Sequence, residues 1–129
     1  MVRDYTPEGY PPGTPIIPHG MSVVLNAPAA LRFTGPARPE RHLEAAQFMG
    51  VRTGAGDLDH AGEMLADAVI DLMKKTGMPN GLSAVGYTKA DVDRLVEGTL
   101  PQHRVTKLCP RPFTAEELKA IFLDSMKLW

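Results

Sequence analysis

Apolar positions recur at helical spacing from Pro18 onward. A first helix is predicted to open at Pro18 or His19 and run towards Leu31, with Pro28 kinking or interrupting it because proline removes a ladder N–H. A second runs from Pro39 through Met49, with Leu43, Ala46 and Met49 on one face and Gly50 as its stop. The third spans about Asp57 to Thr76. There Leu58, Ala61, Leu65, Ala68 and Leu72 recur at three and four residues and Gly77 ends the run. Two further starts carry capping boxes. Thr88-Lys-Ala-Asp91 precedes Val92, Leu95 and Val96, and Thr114-Ala-Glu-Glu117 precedes Leu118, Ile121, Phe122 and Met126. Period-two alternation is nowhere sustained, and the β-like run Val23-Val24-Leu25 sits inside a helical pattern. The fold class expected is all-α, about five helices joined by Pro/Gly-rich loops.

The first stretch reads differently. Pro7, Pro11, Pro12, Pro15 and Pro18, with Gly9 and Gly13, forbid a helix and bias each preceding residue to extended geometry. Residues 1–17 are expected to be a Pro-rich extended linker and residues 18–129 the all-α domain.

Composition narrows the function classes. Of 129 residues, 14 are Lys or Arg and 15 Asp or Glu, a net charge of −1 that argues against a nucleic-acid or anionic-membrane surface. No apolar run is long enough to span a bilayer. The single cysteine, Cys109, cannot pair within the chain, so a reducing compartment and a cytoplasmic location are expected.

Candidate chemistry is sparse. His19, His42, His60 and His103 are never three or four residues apart, so no helix face offers two imidazoles to one metal. His60 reads as solvent-facing beside Asp57, His42 as part of a solvated charged face, and His103 as a loop residue. Cys109 has Lys107 and Arg111 nearby but no histidine at a suggestive spacing, which favours an inert thiol. Gly54-Ala55-Gly56 lacks the following glycine and the preceding strand of a dinucleotide cradle. His19 stands apart because Pro18-His19-Gly20 joins a rigid approach to an apolar helix. A capping or core histidine and a ligand both fit that context, although one imidazole cannot hold a divalent metal alone.

Several co-linear segments resemble the C-terminal, dehydroquinate synthase-like helical half of iron-containing alcohol dehydrogenases, nearest to hydroxyacid–oxoacid transhydrogenases. They are residues 15–25 (PIIPHGMSVVL), 39–44 (PERHLE), 85–91 (VGYTKAD) and 98–112 (GTLPQHRVTKLCPRP), followed by a Thr-capped last helix. The resemblance implies an oxidoreductase that holds Fe²⁺ or Zn²⁺ through one Asp and three His and takes NAD on a separate Rossmann-like half. His19 matches the histidine of the Pro-His-Gly segment. The resemblance further implies that Met1 aligns with an internal position and that the other three ligands and the NAD-binding half lie outside this sequence. The chain then reads as a C-terminal piece, inactive alone, with no cofactor held tightly. A homo-oligomer covering the former domain interface, or a separately encoded NAD-binding half, is the expected partner. Arg104 and Lys107 read either as solvated loop cations or as groups that select a hydroxy- or oxoacid carboxylate.

Overall fold

The structure, a computed structural model, describes residues 4–129, so residues 1–3 of the Pro-rich segment lie outside the described residues. Seven α-helices follow one another: α1 (His19–Val24), α2 (Ala27–Thr34), α3 (Pro39–Phe48), α4 (Ala61–Lys75), α5 (Val92–Thr99), α6 (His103–Thr106) and α7 (Ala115–Asp124). Short 3-10 turns at Gly35–Ala37, Ala55–His60, Leu82–Val85 and Lys89–Asp91 link them, and no strand occurs among the described residues. The fold is all-α.

The predicted first helix is divided in two. Pro28 lies in the first turn of α2, where its missing N–H costs nothing, and the chain turns at Leu25 and Asn26 between α1 and α2. α6 carried no periodic signal because it is a single turn. Gly50 and Gly77 end α3 and α4 with φ of +87° and +70°, a region that favours glycine.

The core is built from Leu25, Met73, Leu82, Val85, Tyr87, Val92, Val96, Leu118, Phe122 and Met126. α4 packs against both α2 and α3. Its buried face therefore differs from the stripe that spacing suggested. Leu58 and Leu72 face solvent, while Gly62, Ala66, Ile70 and Met73 join Ala61 and Leu65 inside. A helix flanked on two sides buries a broader arc than a single stripe. Met49, read from spacing as sharing a face with Leu43 and Ala46, is 40% exposed just after α3, whereas those two are buried.

Close backbone approach sets the α2–α4 crossing. A Cβ on Gly62 would lie 2.8 Å from the Leu31 carbonyl oxygen, and one on Gly35 2.6 Å from Gly62 Cα. The backbone N–H groups of Leu82 and Ser83 donate to the carbonyls of Ser125 and Met126, 2.8 and 3.0 Å away. Asn80 completes this closure, its Oδ1 accepting the N–H groups of Leu128 (2.7 Å) and Trp129 (3.1 Å) and its amide donating to the Trp129 carbonyl.

Residues 4–17 hold no helix or strand. They turn at Gly9 and Gly13, both with positive φ, and return so that the Ile16 N–H donates to the Tyr5 carbonyl at 2.8 Å. Tyr5 and Ile17 pack against the core on either side of that loop.

Candidate functional site

His19 is the first residue of α1. Pro18, at φ −53° and ψ 144°, brings the chain in extended and then releases it into the helix. The backbone here is fixed from within. The Ser22 hydroxyl donates to the His19 carbonyl (2.8 Å), and the Ser22 N–H donates to the Pro18 carbonyl (2.9 Å). The imidazole itself is exposed, and no polar partner for it occurs among the described residues. A Cβ on the adjacent Gly20 would meet nothing within 4 Å, so open space surrounds this end of α1.

The other histidines are accounted for separately. His60 and His103 are exposed, at the start of α4 and of α6 respectively. His42 corrects the sequence reading. It is only 8% exposed, with Nδ1 2.8 Å from the Arg38 carbonyl and Nε2 3.0 Å from the Thr34 hydroxyl. A carbonyl can only accept, so Nδ1 carries a proton and the ring bridges the end of α2 to the start of α3. The charged neighbours Glu40, Arg41 and Glu44 point outward on the same helix, which is why the local sequence looked wholly solvated.

Arg104 lies within α6 and Lys107 directly after it. Both are exposed, and neither forms an ion pair among the described residues. No polar contact joins either to His19. α1 is packed on α2, and α6 has no comparable contact with another helix. Lys107 and Cys109 line a groove of about 480 Å³ with Leu100, Thr106, Pro112 and Phe113, whereas Arg104 does not. Arg111 is committed elsewhere. Its guanidinium lies 4.1 Å over the Phe33 ring, donates to the Phe33 carbonyl (3.2 Å) and pairs with Glu117 (3.1 Å). Spacing gives no sign of the Phe33 contact because the two residues are 78 positions apart.

Glu117 shows the clearest electrostatic effect in this region. Its carboxyl is held below the ordinary glutamate value, first by the Thr114 N–H it accepts at 2.9 Å, then by the Thr114 hydroxyl and the Arg111 charge, with burial opposing. The Thr114 hydroxyl in turn accepts the Glu117 N–H at 3.2 Å, so the capping box read from the sequence is closed in both directions.

A resident divalent metal would need three or four converging donors. Among the described residues no group of three or more His, Cys, Asp or Glu side chains is placed to hold one. These residues do not by themselves fit a complete metal site.

The model of the Fe-containing alcohol dehydrogenase family, C-terminal, matches residues 11–126. The chain belongs to the Fe-containing alcohol dehydrogenase family. Within it, the chain is 49% identical over its whole length to the Dictyostelium discoideum protein named "Probable hydroxyacid-oxoacid transhydrogenase, mitochondrial". It is 47% and 46% identical to the hydroxyacid-oxoacid transhydrogenases of Pongo abelii and Homo sapiens, again over 100% of its length. The match covers 24% of the first of these relatives and 28% of the other two, so the chain spans about a quarter of their length. All three are named mitochondrial, which overturns the expected cytoplasmic location. One unpaired cysteine and a near-neutral charge suit any reducing compartment, so composition could not separate the two.

Proposed function

We propose that this domain serves a hydroxyacid–oxoacid transhydrogenase-type oxidoreductase by contributing His19 as one donor to a metal site shared with a nucleotide-binding half, and that residues 1–129 alone do not turn over substrate. The reading is supported above all by the exposed imidazole at the start of α1, held on a rigid backbone with open space beside it. NAD and Fe²⁺ or Zn²⁺ belong to the completed enzyme. A hydroxyacid and an oxoacid would be its substrates, and the exposed cations Arg104 and Lys107 would suit a substrate carboxylate.

The test is a chimera in which this chain replaces the matching segment of a full-length transhydrogenase relative. The expected result is retained hydride exchange between a hydroxyacid and an oxoacid, lost on His19→Ala together with bound metal, with NAD binding unchanged. A chimera that folds, binds NAD and keeps full activity and metal content without His19 would refute the proposal.

A second reading, association through exposed apolar side chains, is favoured by Val23, Val105 and Leu108, the last 79% exposed. It requires concentration-dependent association in light scattering. A dilute monomer whose mass does not rise with concentration speaks against a homo-oligomer.

A further inference from the structure

The groove beside α6 has a charge pattern that sets it apart. Four other surface grooves each include a carboxylate in their lining: Glu40 and Glu44, Asp71, Glu117 and Asp124, or Asp4. The α6 groove has one charged lining residue, Lys107, and no acid. Its remaining walls are Leu100, Pro112 and Phe113 on the apolar side, with Thr106 and Cys109 near the lysine in sequence.

Two features make this more than a surface lysine beside a dent. The Thr106 hydroxyl donates to the Gln102 carbonyl at 3.2 Å, so it can only accept further bonds and leaves Lys107 as the side-chain donor with charge. Phe113 is fixed from behind, edge-on to Phe33 with ring centroids 6.4 Å apart, and Arg111 is locked onto Phe33 and Glu117. The apolar wall is therefore preformed, and Arg111 is withdrawn from ligand binding. A groove whose lining joins one cation to apolar walls matches a short aliphatic chain that ends in a carboxylate, through a charge-assisted hydrogen bond and burial of the methylenes.

We infer that the α6 groove binds short aliphatic carboxylates, with Lys107 holding the carboxylate and Leu100, Pro112 and Phe113 receiving the chain. Resting on the acid-selective reading above, this assigns the role to Lys107 and not to Arg104, which lies outside the groove. Cys109, the chain's one cysteine, forms part of the wall and so reports occupancy without ambiguity.

The experiment follows alkylation of Cys109 by iodoacetamide, an uncharged reagent, in the chain as it stands. Millimolar butyrate is compared with butyramide, its neutral isostere, and with sodium chloride at matched ionic strength. Butyrate is expected to slow labelling several-fold in the wild type and in Arg104→Gln, butyramide and chloride to leave it unchanged, and Lys107→Gln to abolish the protection. Amide resonances of residues 106–113 give a second readout and are expected to move with butyrate only. Labelling rates and resonances that butyrate leaves unmoved would overturn the assignment. So would equal protection by chloride or butyramide, or protection that survives Lys107→Gln or is lost in Arg104→Gln. Neither readout needs metal, NAD or a second half, so an inactive chimera would leave this result intact, and a negative result here would leave the role of His19 intact.

Discussion

The Asn80–Val85 turn and the start of α1 handle their glycines and polar groups in opposite ways. In the first, Gly81 sits at φ +74° with the carbonyl oxygens of Ser125 and Met126 only 2.6 Å from where its Cβ would be, and neighbouring N–H groups donate to those same carbonyls. In the second, Gly20 has no neighbour within 4 Å and His19 has an exposed side chain. Both places have their backbone bonded within the chain, but only the second leaves a side chain, the His19 imidazole, without a polar partner among the described residues. The stability of this domain and its proposed chemistry therefore reside in different residues, and substitutions can separate them.

The largest effect belongs to the closed region. Gly81→Ala meets both a positive φ and two carbonyl oxygens, and is expected to cost about 3 kcal/mol or more, lowering the thermal midpoint by many degrees. A variant with wild-type melting would mean that the turn yields easily and would blur the contrast between the two regions.

An intermediate effect concerns acid. The Glu117 carboxylate has its pKa depressed in the folded chain, so its contribution to stability is present above the ordinary glutamate value of about 4.3 and is lost as pH falls through the lower folded value. Between pH 5 and about 3 the wild type should lose stability more steeply than Glu117→Gln, measured by denaturant midpoints at each pH. Parallel slopes would remove Glu117 from the acid response.

The smallest effect belongs to the open region. Gly20→Ala lies in helical backbone with empty space around it and should raise stability by at most about 1 kcal/mol. In the chimera the same methyl group is expected to reduce activity if another surface closes on α1. Unchanged activity would show that the space beside His19 stays open in the completed enzyme.

What the sequence disclosed follows from the range of the interactions. Thr114 and Glu117 are three residues apart, and the cap they form was readable because it is local. Gly50 and Gly77 were readable as helix stops for the same reason. The Gly35–Gly62 approach, the Arg111–Phe33 stack and the His42–Thr34 contact join separate elements, and no periodicity announces them. Spacing predicts α4 as a helix but not its inward arc, because α2 and α3 both lie against it. For the site, spacing left His19 undecided between a core residue and a ligand. Family resemblance singled it out, and the structure places it at an exposed helix start.

The clasp between Ile16 and Tyr5 has one more consequence. With Tyr5 and Ile17 both seated on the core, the approach to His19 is pinned at two points, and prolines stiffen what lies between. The entropy of ordering that approach is spent when this domain folds. Any second body docking against α1 meets a prearranged imidazole backbone, and its binding energy can go into the interface instead of into organising a loop.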